Sequence, residues 1–339
     1  MNSTMIRAHG LTRHFAVRKE TIEAVRGVDL HVEAGEMVAL LGPNGAGKST
    51  TLRMLTTLLP PTSGSAEVAG CDVERDARGV RRRIGYIGQG NGAGHSQRGR
   101  DELISQGRAY GMSVRAARAR ADELVASLGL GAVVDRVVSS LSGGQRRRLD
   151  IAMGLIHAPV LLFLDEPSTG LDPQNRANLQ AHIRALRAEH DTTVVLTTHY
   201  LDEADQLAER VIVIDHGRII ADDTPARLKA DHAGDRITVT FAHEGDARRA
   251  LAHLGVAAGA EIDHAGAVVT IQVAGGAGLA PRLLRDLDGS GIPVAGVEVA
   301  RPTLDDVFLN LTGRSLREDG AAASAAAAPG HTTREEAIA

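Results

Sequence analysis

A single cysteine, Cys71, in 339 residues excludes an internal disulfide framework and fits a reducing compartment such as the cytosol. Long hydrophobic runs are missing as well. None approaches the ~20 apolar residues that cross a bilayer; the longest, such as Val160–Leu164 and Val211–Ile214, have the length of buried strands. The opening MNSTMIRAHG lacks the apolar core of a signal peptide, so any membrane role is expected to be peripheral. An excess of positive charge is also absent. The net charge of -4 argues against a nucleic-acid partner held by bulk electrostatics. Lysine is scarce: only Lys19, Lys48 and Lys229 occur among 38 basic residues, which with the abundant Ala and Gly reads as the coding bias of a GC-rich genome. What remains is ordinary for a soluble globular protein, at 43% hydrophobic and 24% charged, with length for roughly two domains.

Residues 1–225 alternate short apolar runs with Gly-punctuated turns and longer amphipathic stretches, the pattern of a mainly parallel sheet covered by helices. Met37–Leu41, Leu161–Leu164, Thr193–Thr197 and Val211–Ile214 read as strands. Gly47–Leu59, Ser113–Leu128, Gly143–His157 and Asn175–His190 read as helices. A polar stretch, 226–236, reads as a linker. Beyond it Ile237–Phe241, Val268–Val273 and Val294–Val299 read as strands, and Glu244–Leu254 and Leu279–Leu287 as helices. Thr303–Thr312 closes the pattern as a helix, with Thr303 and Asp306 at capping-box spacing. Residues 237–316 are thus expected to form a small α+β domain of ferredoxin-like type. The tail 317–339, built around Ala321–Ala328, has no apolar face to dock and is expected to be disordered.

The chemistry starts at Leu41, where a strand runs into Gly42-Pro43-Asn44-Gly45-Ala46-Gly47-Lys48-Ser49-Thr50. This matches the phosphate-cradling loop G-x-x-x-x-G-K-[ST]: glycines let backbone N–H groups curl around phosphate oxygens, and the next helix turns its positive end to them. Lys48 would reach the β- and γ-phosphates and Ser49 would ligate Mg²⁺. Leu161-Leu162-Phe163-Leu164-Asp165-Glu166 is a buried strand ending in two acids, which puts Asp165 beside the metal and Glu166 where it can deprotonate the attacking water. Alone, such a run also admits the reading of a strand capped by solvated acids; the phosphate loop before it argues for the catalytic one. Leu141-Ser142-Gly143-Gly144-Gln145 is a second Gly-rich turn opening a helix, with Ser142 as N-cap. One ATP cannot occupy both turns. Two copies packed head to tail would bring Ser142 of one to the γ-phosphate held by Lys48 of the other, making nucleotide the glue of the dimer.

On these motifs the sequence resembles the ABC ATPase family, for which LSGGQ is the signature, and is similar to the daunorubicin/doxorubicin-resistance type of exporter subunit. The resemblance implies an α/β P-loop NTPase domain with a helical subdomain, with ATP and Mg²⁺ as cofactors. It also implies a homodimer serving a separate membrane-spanning permease at the cytoplasmic face of the cell membrane. Further roles follow from it. Phe15 would stack on adenine, with Val25 as an apolar contact. Gln89 would touch Mg²⁺ and water and sense the permease. Asp172, in Ser168-Thr169-Gly170-Leu171-Asp172, would cross to the opposite subunit, and His199 would contact the γ-phosphate. The exporter type rests on Gly99-Arg100-Asp101-Glu102-Leu103, on Pro167–Pro173, and on the ending Pro302–Leu309 followed by Leu311-Thr312-Gly313-Arg314.

One segment departs from the family. After Gln89, relatives carry a more apolar stretch, whereas 90–98 here is polar and glycine-rich, expected to be a flexible loop or else an unusually polar partner surface. The basic runs Arg81–Arg83 and Arg146–Arg148 read as solvated helix faces, although the second lies close enough to Ser142 to tune the γ-phosphate field. The alternative function is a soluble ABC ATPase of translation or DNA maintenance, but such relatives carry two cassettes or a coiled-coil interruption. GTPases are set aside because no lysine here sits in an Asn-Lys-x-Asp setting.

Overall fold

The computed structural model describes residues 4–18, 20–90, 92–190, 192–253, 261–273 and 276–314. The chain opens with long antiparallel strands β1 (Thr4–Val17) and β2 (Glu20–Glu33), ahead of β3 (Met37–Leu41) and helix α1 (Lys48–Leu55). With β4 (Ser63–Val68) and β5 (Cys71–Asp72), the first two strands form an antiparallel sheet ordered β2-β1-β4-β5. Helix α2 (Ala77–Arg83) leads to β6 (Ile84–Ile87). Helices α3 (Gly99–Ala109), α4 (Val114–Ser127) and α5 (Gly143–Leu155) pack on one another and give the expected helical subdomain. Then come β7 (Leu161–Asp165), α6 (Pro173–His190), β8 (Thr193–Thr198), α7 (Leu201–Leu207), β9 (Arg210–Asp215) and β10 (Arg218–Asp223). The second sheet is ordered β10-β9-β3-β8-β7-β6 and is parallel except for β10.

Burial of both faces explains why the central strands are largely apolar. In β3, Met37, Ala39 and Leu41 point into the core under the helices, while Val38 and Leu40 point into the core against the antiparallel sheet. β7 divides the same way, with Leu162 and Leu164 on one side and Leu161 and Phe163 on the other. Both faces are covered, so a central parallel strand is mostly apolar, and the buried threonines of β8 (Thr193, Thr197 and Thr198) are each hydrogen-bonded. The polar residue of β7, Asp165, lies at the C-terminal end, where ligands bind in open α/β sheets.

The third sheet is built by β11 (Asp235–Phe241), α9 (Glu244–His253), β12 (Glu261–Ala265), β13 (Val268–Val273), α10 (Gly276–Gly289) and β14 (Val294–Ala300). Its antiparallel order, β12-β13-β11-β14, with two crossing helices, is the ferredoxin-like βαββαβ arrangement. Two findings change the expected partition. Running from the end of the first domain into the segment read as a linker (226–236), Pro225–His232 forms helix α8, capped by Thr224 and anchored by buried Leu228. The closing helix α11 (Leu304–Thr312) does not finish the small core. It lies against α8, and Leu304, Val307 and Phe308 join the helix-side core of the parallel sheet. The tail 317–339 lies outside the described residues.

Candidate active site

The loop after β3 is compressed so tightly that only glycine fits at its ends. A Cβ on Gly42 would meet the Ile214 carbonyl oxygen at 2.1 Å. Gly47 combines a φ of +105° with the Ala24 carbonyl oxygen 2.5 Å from any Cβ. Residues 44–50, with Ala24, Gln89 and Glu166, line a cleft of about 530 Å³. Asn44, Gly45, Gly47, Lys48, Ser49 and Thr50 therefore meet where the motif implied. Lys48 is buried, and its Nζ donates to the carbonyls of Gly42 (2.7 Å) and Pro43 (3.0 Å). Burial pulls its ammonium below the usual value, an effect that Glu166 and Asp165 only partly offset.

The two acids at the end of β7 part company. Asp165 is fully buried; its Oδ1 accepts from Ser49 Oγ and from Thr197 Oγ1, each at 2.7 Å. Its Oδ2 is buried with no hydrogen-bond partner among the described residues. Gln89 Nε2 donates to Ser49 Oγ at 3.1 Å. Glu166 turns back with a φ of +47°, its N–H donating to Thr197 Oγ1 (2.9 Å) and Thr197 O (3.2 Å). Its carboxylate then sits among Lys48 Nζ (3.8 Å), His199 Nδ1 (3.4 Å) and Thr169 Oγ1 (3.1 Å). Burial alone would raise this carboxyl, but His199, Lys48 and Thr169 outweigh it and hold Glu166 below the usual carboxylate range.

Other expected residues lie elsewhere. Ser142 caps α5 in a capping box with Gln145: Ser142 N donates to Gln145 Oε1 (3.0 Å) and Gln145 N to Ser142 Oγ (3.4 Å). Ser142 and Gly143 face solvent, and Gly144 is pressed against Asn175, yet none of these residues lines the phosphate-loop cleft. Asp172, also exposed, caps the start of α6 by accepting from Asn175 N at 2.9 Å. Phe15 lies on β1, half-buried, with the Arg13 guanidinium 4.8 Å from its ring centroid. Val25 requires correction. It is fully buried in the core beside Gly47, because strand alternation sends its side chain inward and turns Ala24 to the cleft.

Arg81–Arg83 are exposed, as a solvated face requires, but the second arginine run differs from that expectation. Arg147 is buried and donates to the carbonyls of Gly88, Asp165 and Pro167. Arg148 donates to the carbonyls of Leu128 and Gly129, and Arg146 to that of Ala93. Within the segment after Gln89, Gly92 N (3.1 Å) and Ala93 N (3.0 Å) both donate to Oδ1 of buried Asp150. Sequence reasoning missed Arg147 because three consecutive arginines on a helix cannot show which one turns inward.

Comparison with known proteins agrees with this geometry. The family described as ABC transporter is matched over residues 25–169, and the DrrA1-3-like ATP-binding protein C-terminal domain over residues 224–312. Daunorubicin resistance ATP-binding protein DrrA3 of Streptomyces coeruleorubidus is 44% identical over 322 residues, covering 95% of this chain and 100% of its own. Daunorubicin/doxorubicin resistance ATP-binding protein DrrA of Streptomyces peucetius is 45% identical, covering 86% of this chain and 88% of its own. The solved dimeric, post-hydrolysis ATP-binding cassette MJ0796, bound to ADP and Pi, superposes with a TM-score of 0.60 at 26% identity, covering 65% of this chain and 98% of its own. The chain belongs to the ABC transporter family, as an ATP-binding and ATP-hydrolysing protein related over most of its length to the daunorubicin-resistance subunits.

Proposed function

We propose that this chain powers a drug exporter, closing as a head-to-tail homodimer on two ATP at the cytoplasmic face of the membrane, beneath a separate permease. The observation that carries the reading is the separation of its two Gly-rich turns. The phosphate-loop cleft holds Lys48, Gln89 and Glu166 but nothing from the Ser142 turn, which faces solvent on its own capped helix. A second copy supplies the missing half by symmetry. The printed names of the relatives, which concern daunorubicin and doxorubicin resistance, support export as the purpose. Among the described residues no helix is long and apolar enough to cross a membrane, so a transport path would come from another chain.

The residues divide the work as follows. Lys48 leaves its loop carbonyls for the β- and γ-phosphates, and Phe15 offers adenine a ring face. Ser49 Oγ and the orphaned Oδ2 of Asp165 are hard oxygen ligands that suit Mg²⁺, an ion that takes few protein groups and completes its shell with phosphate and water; Gln89, whose Nε2 donates to Ser49 Oγ, would offer its amide oxygen on turning over. Bound there, Mg²⁺ would neutralise charge on the phosphates. Glu166 accepts the proton of the water that attacks the γ-phosphorus as the bond to the β–γ bridging oxygen breaks, while His199 holds both Glu166 and the departing phosphoryl oxygens. Asp172 carries the contact to the opposite copy. Glu166→Gln is expected to keep ATP binding, to lower turnover by about 100-fold or more, and to accumulate a dimer with ATP. Light scattering of that variant with ATP showing monomer alone would overturn the proposal.

A further inference from the structure

Arg147 lies in α5, just beyond the turn that carries Ser142, and is only 8% exposed. A guanidinium buried so deeply must spend its donors well. Nε donates to Pro167 O at 2.8 Å, Nη1 to Gly88 O at 2.7 Å and Nη2 to Asp165 O at 3.2 Å. Every acceptor neighbours a reacting group: Gly88 precedes Gln89, while Asp165 and Pro167 bracket Glu166. Glu166 is also the residue whose φ of +47° a non-glycine keeps only when its surroundings enforce it. From the other side Thr197 holds the Glu166 N–H. The peptide that aims Glu166 is thus clamped between β8 and one arginine of the signature helix. Burial pulls the Arg147 guanidinium below its usual value, and the nearby carboxyls of Asp150, Asp165 and Glu203 only partly offset that cost. A lysine could supply the charge but not a planar fork reaching three carbonyls.

We infer that Arg147 is a positioning residue that sets Gln89 and Glu166 from α5, so that seating the Ser142 turn on one nucleotide and aiming the hydrolytic groups at the other become a single event. The inference rests on the roles given above to Gln89 and Glu166. It joins the two sites of the dimer through one side chain, because the helix that closes on the partner's phosphate is the helix whose arginine grips its own catalytic loop.

The test compares full-length Arg147→Gln, Arg147→Lys, Arg148→Gln and Glu166→Gln in ATP turnover, labelled-ATP binding and thermal melting. Arg147→Gln is expected to lower kcat by about 30-fold or more with KM for ATP within about 3-fold of the parent, and to reduce the Hill coefficient toward one. Arg147→Lys should recover folding but only part of kcat. Arg148→Gln removes contacts to Leu128 O and Gly129 O at the end of α4 and one of 3.4 Å to Gly144 O, but none to the peptides of Gln89 or Glu166; it should lower Tm without splitting kcat from KM. A kcat for Arg147→Gln within about 3-fold of the parent would overturn the inference, as would loss of kcat in proportion to lost ATP binding. If Arg147→Gln fails to fold, Arg147→Lys with full kcat and unchanged cooperativity would do the same. Glu166→Gln separates the two levels: should it keep turnover, the base assignment fails; should it lose turnover while the Arg147 variants keep theirs, only the inference fails.

Discussion

Asp165 and Glu166 are adjacent carboxylic acids with opposite surroundings, and the backbone makes the difference. Asp165 ends a parallel strand and points into the protein toward Ser49 and Thr197. Glu166 turns into left-handed backbone, at a cost of about 1–3 kcal/mol, and swings its carboxylate into the cleft. There, despite burial, His199, Lys48 and Thr169 favour the charged form, so the carboxyl is held down and the base stays ionised through neutral pH. Protonation silences a base, so the acid limb of kcat against pH should fall below the range of an ordinary glutamate. Removing His199 removes a group that favours the carboxylate. The residual activity of His199→Gln should therefore show that limb at higher pH, and an unmoved limb would count against the contact.

Among the elements, the aliphatic strands were readable and the two longest were not. β3, β7, β8 and β9 show as short runs dense in Val, Ile and Leu because both faces are buried. β1 and β2 carry Arg, His, Thr and Glu on a face that stays outside, and bulges break their alternation at several points. β12 has only Ile262 to mark it as apolar and was missed for the same reason. α8 hides in a polar stretch because one buried leucine anchors it. α11 was legible from its capping box, but not its destination. Phe308, fully buried in the parallel-sheet core, should cost about 3–5 kcal/mol on replacement by alanine. Its neighbour Leu309, 41% exposed, should change stability by about 0.5 kcal/mol or less on the same replacement. Urea unfolding of the two variants measures both, and equal effects would contradict the packing.

On the scale of the molecule, α11 makes the C-terminal segment a structural part of the nucleotide-binding body. The chain leaves through α8, builds the ferredoxin-like sheet, and returns to lay Leu304, Val307 and Phe308 on the first core. Arg314 then reaches Asp215 at 2.6 Å, at the turn whose Gly217 N donates to Ala46 O of the phosphate loop at 2.9 Å. A chain ending at Thr224 would expose that apolar surface. It should melt at lower temperature and aggregate more readily than the full chain; equal Tm values would show that the return helix adds no stability.

Residue order alone determined the phosphate loop, the strand ending in Asp165 and Glu166, and the Ser142 turn, because these motifs depend on glycine geometry and on charges at fixed spacing along one strand or helix. The tertiary structure alone decided which side chains face inward or meet across the chain. It buried Val25 and Arg147, brought Thr197 and His199 to the acids of β7, and carried α11 back to the first core. Those outcomes depend on packing between segments far apart in sequence, where a local pattern cannot register which face of an arginine run or of a closing helix finds a partner.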